Sequence, residues 1–137
     1  MPPADTQGAE RKGMFDREIS ASEVVVGPFP FAHEGEITLA VRNGDYSLGP
    51  VMLELVMKPG SVIPAHIHEG ISEVLYVIEG DFINEGKTHY AGTSLHVKVG
   101  KVHGPHSTEG GCDVLVLWTN PEVPANAKAD DFVLATK

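Results

Sequence analysis

The stretch that decides the fold reads Gly60-Ser-Val-Ile-Pro-Ala-His66-Ile-His68-Glu-Gly-Ile-Ser-Glu73, and an apolar segment follows it. In an extended strand, residues two apart project to the same side, so the imidazoles of His66 and His68 can converge on one point. Glu73 comes after a tight turn and begins the next strand, from which its carboxylate can reach the same point. The segment therefore predicts three donors of one metal site.

A second segment supplies a fourth donor. It reads Gly92-Thr-Ser-Leu-His-Val-Lys98-Val-Gly100-Lys-Val-His103, and His103 follows directly on the turn at Gly100. Neutral imidazoles and one carboxylate are a borderline donor set that suits divalent transition metals. We therefore predict that His66, His68, Glu73 and His103 bind one divalent ion, with Fe(II) favoured and Mn(II), Zn(II), Ni(II) or Cu(II) as alternatives.

These two segments resemble the paired motifs of the cupin superfamily. The first motif matches at Gly60, His66, His68, Glu73 and Gly80, and the second matches at Gly92, Gly100 and His103. Lys98 stands where the family has proline and Ser107 where it has asparagine, and neither change removes a ligand. The resemblance implies an all-β fold, the double-stranded β-helix or jelly-roll barrel, with the metal inside it.

A finer resemblance rests on fewer positions. The residues from His66 to Glu73, with Tyr90-Ala91 ahead of the second segment, are similar to small diketone-cleaving dioxygenases of the acetylacetone type. They are also similar to the cupin sensor domain of the ChrR anti-sigma factors. The first resemblance implies oxidation of a small carbonyl compound, and the second implies ligand or metal sensing without turnover.

The rest of the chain agrees with an all-β domain. Short apolar runs alternate with turn signals at the spacing of a sandwich or barrel. A length of 137 residues fits one domain, and we expect a flexible arm at residues 1–13 and the cupin domain at residues 14–137. The expected strands are 22–26, 36–42, 51–58, 72–79, 82–83, 87–90, 94–99, 113–119 and 132–134.

Alternation along two strands predicts a cavity and a partner. Residues 51, 53, 55 and 57 are apolar and share one face. In the strand after Glu73 both faces are apolar, which indicates that a second layer or subunit covers the outer one. We therefore expect a homodimer. The expected apolar lining of the cavity is Leu53, Leu55, Leu75, Val77, Leu95 and Val97.

Several further residues receive an interpretation from sequence. His106 is a candidate proton shuttle beside the metal, although a histidine that follows such a loop is more often merely exposed. His96 should face away from the cavity by strand parity, and His33 and His89 are interpreted as loop or strand-end residues. The remaining interpretations are packing for Tyr76 and Trp118, core positions for Met52 and Met57, and a glycine-rich turn for Cys112.

Composition limits which partners and which cellular compartment we expect for this chain. The formal charge is −9 at pH 7, so nucleic acid is an unfavourable partner. A single cysteine forms no internal disulfide and favours the cytoplasm. Residues 1–13 lack the apolar core of a signal peptide, and no apolar run has the length of a membrane span. The expected partner is a small-molecule substrate, with no nucleic acid and no membrane.

Three functions are compatible with this sequence. The first is a non-haem iron dioxygenase acting on a small apolar or aromatic carbonyl compound, such as a β-diketone. The second is a non-redox enzyme, a polyketide cyclase, isomerase or lyase, in which Zn or Mn acts as a Lewis acid. The third is a sensing module without turnover. An apolar cavity without an arginine or lysine clamp favours the first.

Overall fold

The computed structural model of the protein describes residues 18–43, 50–119 and 131–135. These residues form β-strands and one 3₁₀ turn, Ala21–Glu23, and contain no α-helix. The expected arm at residues 1–13 lies outside the described residues. The strands are β1 Val25–Pro28, β2 Ile37–Asn43, β3 Val51–Met57, β4 Val62–Ile63, β5 His66–Ile67, β6 Glu73–Asn84, β7 Lys87–Tyr90, β8 Ser94–Val97, β9 His106–Ser107, β10 Cys112–Trp118 and β11 Val133–Leu134.

One long strand organises the sheet. Strands β1, β2, β3, β10 and β6 lie side by side in that order, each antiparallel to its neighbour. The first half of β6 also pairs with β8, whereas its second half pairs with β7 and β9. Strand β6 therefore joins two sets of strands, and the sheet curls around one core. The all-β jelly-roll architecture expected from the sequence is confirmed.

The inner face of the curled sheet carries the core. Val51, Leu53, Leu55 and Met57 are all buried, as their alternation predicts. Met52 is 36% exposed, so the expectation that it lies in the core is wrong. It occupies the opposite face of β3, which points away from the core.

Two strand boundaries differ from expectation. The strand expected at residues 22–26 begins as a 3₁₀ turn, because Ser20 and Glu23 form a capping box in which the Ser20 amide donates to Glu23 Oε1 at 2.9 Å. Pro28 lies within β1 rather than ending it, which an edge strand tolerates. Cys112 is the buried first residue of β10 and not part of a turn.

The expected end of a strand at Gly80 is wrong, since β6 continues to Asn84. Gly80 adopts a φ of +87°, and β10 passes so close that a Cβ at this position would lie 2.7 Å from the Cα of Cys112 and nearer still to the Gly111 carbonyl oxygen. Only glycine fits both constraints. The residue therefore bends the strand without interrupting its pairing.

No helix among the described residues is long and apolar enough to cross a membrane.

Candidate metal centre

A short backbone bridge brings two of the predicted ligands together. The amide of His66 donates to the His103 carbonyl at 2.9 Å, and the His103 amide donates to the His66 carbonyl at 3.0 Å. The two rings lie 4.2 Å apart between centroids, and the ring of His68 lies 5.1 Å from that of His66. Strand β5 and the segment after β8 thus place three imidazoles around one point.

Glu73 completes this arrangement from the inner face of β6. Its side chain is buried, and its Oε1 lies 3.0 Å from His103 Nε2. Its Oε2 lies 3.4 Å from His68 Nε2 and accepts a hydrogen bond from Trp118 Nε1 at 2.8 Å. The carboxylate therefore faces two imidazole nitrogens and is oriented by the indole.

Backbone carbonyls set the tautomers of the three histidines. The Nδ1 of His66 contacts the Pro64 carbonyl at 2.7 Å, and that of His103 contacts the Lys101 carbonyl at 3.3 Å. The Nδ1 of His68 contacts the carbonyl of Asp131. A carbonyl oxygen only accepts, so each Nδ1 carries the proton and each Nε2 keeps a free lone pair. This is the tautomer that a metal ligand needs.

The donor atoms fit a metal ion. His68 Nε2, Glu73 Oε1 and His103 Nε2 are buried and lack a hydrogen-bond partner in the structure. Buried polar atoms are normally satisfied, and three acceptors that face one another are satisfied by a cation. The ligand atoms of His68, Glu73 and His103 all lie within 4.8 Å of one another. The cluster could therefore hold one divalent ion.

His66 belongs to a second, overlapping group of donors. Its ligand nitrogen lies within 4.8 Å of those of His103 and His106. His103 is common to both groups. The structure thus places the four sequence-predicted ligands in two donor groups that share His103, and His106 belongs to the second group.

The expectation that His106 is merely exposed is wrong. Its ring is buried, lies 4.9 Å from that of Phe82, and leaves Nδ1 without a hydrogen-bond partner. Burial lowers the pKa of His106 to about 3. A proton shuttle works best with a pKa near neutrality, so this environment does not favour that role.

The electrostatics of the cluster favour a cation. Burial by itself raises the pKa of Glu73, but the adjacent imidazoles of His103 and His68 hold that pKa well below its ordinary value. Burial disfavours the charged form of His68 and by itself lowers the pKa of that residue. The adjacent Glu73 carboxylate more than offsets this effect, so the pKa of His68 is raised. Burial lowers the pKa of His66 to about 4, which keeps it neutral. A negative carboxylate surrounded by imidazoles attracts a positive ion.

Three of the four predicted ligands, His66, His68 and Glu73, lie at the wall of a mostly apolar cavity. It contains about 440 Å³ of empty space, including its open mouth. Leu53, Leu55 and Leu75 line it as predicted, whereas Val77, Leu95 and Val97 do not. Val77 is fully buried in the core instead, and Leu95 packs against the core. None of the described residues that line the cavity is lysine or arginine.

Aromatic residues that the sequence did not single out surround this cavity. Phe29, Phe31 and Phe132 line it together with Trp118. Trp118 was interpreted as a packing residue, yet it also donates the hydrogen bond that orients Glu73. Its position follows from the pairing of β10 with β6, in which Trp118 lies opposite Glu73. Strand pairing is not visible in one sequence, so no local signal revealed this contact.

The other histidines lie outside the cluster. His96 is exposed on the outer face of β8, as strand parity predicts. His33 lies in a loop, where its Nδ1 donates to the Phe31 carbonyl at 2.6 Å, and His89 belongs to β7. Tyr76 is 43% exposed on the outer face of β6 and does not line the cavity, so it is not a core residue of the single chain.

Comparison with known sequences gives a partial match. No family model matches the chain. A germin-like protein from Ipomoea nil is 43% identical over 51 residues, which is 34% of this chain. The match spans about a quarter (24%) of that protein's length.

Comparison with solved structures gives the architecture. An acetylacetone dioxygenase from Acinetobacter johnsonii superposes with a TM-score of 0.60 at 22% identity, over 75% of this chain and 72% of that one. The chain has a cupin fold. The polyketide cyclase RemF from Streptomyces resistomycificus shares this cupin architecture with a TM-score of 0.63 at 21% identity, over 78% of this chain and 82% of that one.

The two departures from the cupin motif leave the site intact. Lys98 is exposed, and its carbonyl accepts the Lys101 amide at 3.2 Å, so the turn closes without proline. Ser107 lies in β9 opposite Val62. Near this turn the Oδ1 of Asn84 accepts the Gly104 amide at 3.0 Å.

Proposed function

We propose that this protein is a metal-dependent cupin enzyme that oxidises a small apolar or aromatic carbonyl compound, as a non-haem iron dioxygenase. One observation carries the proposal: unpartnered nitrogen and carboxylate donors are buried at the wall of an apolar, aromatic cavity. Three or four protein donors leave coordination positions on an octahedral ion that are open to the organic substrate and to dioxygen.

The residues of the chain have separable tasks in this reaction. His66, His68, Glu73 and His103 hold the ion, and their Nδ1–H groups or the Trp118 N–H fix their orientation. An Fe(II) ion supplies one-electron chemistry with dioxygen, whereas Zn(II) supplies Lewis acidity alone.

The cavity indicates the class of substrate. Its walls are leucine, isoleucine, valine and aromatic side chains, and its polar side chains are three predicted metal donors and His106. Phosphorylated substrates bind through arginine, lysine or a helix N-terminus. We therefore expect a small ligand that presents carbonyl or phenol oxygens to the ion and apolar groups to the walls, such as a β-diketone or a hydroxyaryl ketone.

A second candidate is a non-redox metal enzyme such as a polyketide cyclase, isomerase or lyase with Zn or Mn. The same donors and the same apolar cavity support it, and RemF has this architecture at low identity. It needs a group that moves a proton, and a side chain or a metal-bound water would take that part. Oxygen dependence distinguishes it from the dioxygenase. A sensing module that binds metal or ligand without turnover is the third candidate.

Oxygen consumption by metal-loaded protein tests the proposal. The Fe(II) protein is mixed with pentane-2,4-dione or with 2′-hydroxyacetophenone in an oxygen-electrode cell. We expect oxygen uptake that matches loss of the ketone, and no uptake by the Zn(II) protein. Each reaction is repeated under strict anaerobiosis.

The controls separate the three candidates. Product formation at an unchanged rate without oxygen, or with Zn or Mn in place of iron, would support the cyclase class and exclude the dioxygenase. Thermal stabilisation by the ketone without any product would support the sensing module.

A further inference from the structure

The geometry points to a role for the segment 131–135, which belongs to neither cupin motif: it positions the histidines of β5 for metal binding. In this proposal Asp131 is a positioning residue for His68, and Phe132 is one for His66. The inference rests on the metal-binding part of the proposed function. The argument starts from how this segment attaches to the site.

The segment adds a strand next to the metal-binding strand. Strand β11 pairs antiparallel with β5, so that Val133 lies opposite Ile67 and Leu134 opposite His66. The amide of Ala135 donates to the Ala65 carbonyl at 3.0 Å. Strand β5 is only two residues long and pairs with no other named strand, so β11 is its sheet partner.

Asp131 forms hydrogen bonds to the turn that links two of the predicted ligands. Its side chain is buried, and its two carboxylate oxygens accept the amides of Glu69 at 2.6 Å and Gly70 at 2.8 Å. Hydrogen bonds to an ionised acceptor are stronger than neutral ones. This turn connects His68 to Glu73, so the carboxylate fixes the spacing between the two donors.

The backbone of Asp131 also selects the tautomer of His68. Its carbonyl accepts the Nδ1–H of His68, which leaves Nε2 facing Glu73. Such partners of a metal-binding histidine fix the ring orientation and raise its basicity. The comparable carbonyls for His66 and His103 come from residues two positions earlier in the chain. Only for His68, among these three, does the carbonyl come from a segment 63 residues away.

Phe132 restrains the neighbouring imidazole. Its ring stacks on His66 with centroids 4.2 Å apart and planes inclined by 21°, and it stacks on Phe31 at 4.7 Å and 5°. The three rings form a column that holds the plane of His66. Phe132 therefore limits rotation of His66 while its edge lines the cavity.

Cobalt(II) binding by the full chain tests this role. Its dissociation constant is measured by competition with a chromophoric chelator, and the visible absorption of the bound ion reports its coordination geometry. We expect Asp131→Ala to weaken binding by about 10- to 100-fold and to alter the spectrum at saturating cobalt. Asp131→Asn keeps one acceptor for the two amides and should lie between wild type and Asp131→Ala. Phe132→Leu keeps the apolar volume without the stacking, and it should change the spectrum with a smaller loss of affinity.

Asp81→Asn is the matched control. The Asp81 carboxylate also accepts two consecutive amides, those of Glu109 at 2.8 Å and Gly110 at 3.0 Å, in a turn that carries none of the four predicted ligands. This variant should lose thermal stability yet keep the wild-type cobalt affinity and spectrum.

The outcomes distinguish this inference from the proposed function. Wild-type affinity and spectrum in both Asp131→Ala and Phe132→Leu would overturn the positioning role and leave the metal site standing. An equal loss of affinity in Asp81→Asn would also overturn it, because the effect would then reflect general stability. A wild-type protein that binds no cobalt would overturn the metal centre itself.

Discussion

At the scale of single residues, His103 has a position that no other donor shares. Its ligand nitrogen lies within 4.8 Å of those of His68 and Glu73 and also of those of His66 and His106. Its backbone forms the bridge to His66. Removal of its imidazole therefore takes a donor from both groups at once.

We accordingly expect His103→Ala to lose most of its metal, because the remaining donors hold a divalent ion poorly. Elemental analysis of protein loaded with Fe(II) and then desalted measures the occupancy. His96→Ala is the matched control, since His96 is exposed on the outer face of β8 and should leave the occupancy unchanged. Full occupancy in His103→Ala would show that the ligand set is wrong.

A second residue-scale feature lies on the outer face of the sheet. Arg42 Nη2 contacts Glu54 Oε1 at 2.6 Å, and the charge of the same Glu54 carboxylate acts on Asp113 in the neighbouring strand. Burial and the hydrogen bond with Glu54 raise the pKa of Asp113 to about 7. The hydrogen bond from Asp113, with help from Arg42, lowers the pKa of Glu54. The pKa values of the two carboxyl groups are thus driven apart, and Asp113 is the one that takes up a proton more readily.

This pair predicts a pH-dependent effect of Asp113→Asn. The folded chain holds the Asp113 proton more tightly than the unfolded chain, so its stabilising contribution is complete below about pH 4 and is lost as the pH rises towards 7. Asparagine resembles the protonated acid at every pH. We expect the variant to melt roughly 2–4 °C above wild type at pH 8, and by less at pH 5.

Thermal melts at the two pH values check this expectation. Glu36→Gln removes another exposed negative charge and should show no comparable difference between the two pH values. An Asp113→Asn effect of equal size at pH 5 and pH 8 would mean that the proton on Asp113 plays no part.

At the scale of elements, the bend of β6 at Gly80 joins the two sets of strands. Gly86 adopts almost the same φ, +86°, but nothing lies within 4 Å of the position where its Cβ would stand. Gly86→Ala therefore costs only the left-handed backbone conformation, about 1–2 kcal/mol. Gly80→Ala adds a clash with the backbone of β10, and we expect a total of roughly 3 kcal/mol.

Denaturant unfolding of the two variants measures the difference. Similar midpoints would show that the close approach of β10 adds nothing to the loss of stability in Gly80→Ala, and that this loss comes from the backbone angle alone.

Element length decided how much of the fold could be predicted. Strands β2, β3, β7 and β10 were expected nearly at their observed bounds, because each has at least four residues with a readable alternation or a flanking turn. Strands β4, β5 and β9 have two residues each and leave no periodicity to detect. They form through long-range pairing, as β4 does with β9.

The same distinction applies to the candidate site. The four predicted ligands lie at fixed short spacings in two segments, so the sequence contained them. Trp118 lies 45 positions from the Glu73 it orients, and Asp131 lies 63 positions from the His68 it contacts. Contacts between residues so far apart in the sequence depend on which strands pair and where the chain reverses, and a single sequence does not reveal either. His106 was noticed, but its burial depended on the packing of Phe82 against it.

At the scale of the whole molecule, the outer face of the sheet carries an apolar patch beside the charged residues Arg42, Glu54 and Asp113. Tyr76 is 43% exposed, Ile78 is 41% exposed and Met52 is 36% exposed. Strand register places further half-buried apolar side chains beside them, namely Val56, Val74, Leu115 and Leu117. Extended apolar patches of this kind mark protein–protein contacts, which supports the prediction of a homodimer.

We expect the chain to sediment at about twice its mass of 14.6 kDa at micromolar concentration. The double variant Tyr76→Lys with Ile78→Lys should sediment as a monomer, because two buried and unpaired charges oppose association. Tyr90→Lys changes an exposed tyrosine on β7 and should leave the dimer intact. A monomeric wild-type chain would count against this interface.

The hydrogen bond between Trp118 and Glu73 places the indole directly beside the candidate metal ligands. Trp118 is the single tryptophan of the chain, and its ring lies 5.4 Å from that of His68. All indole fluorescence of the protein therefore originates beside the donor cluster. We expect Cu(II) or Co(II) to quench this emission in a saturable titration, and Zn(II) to shift its wavelength without strong quenching. The fluorescence of the native, unlabelled chain would then yield metal affinities directly, and an emission spectrum unchanged by all three ions would place their binding elsewhere.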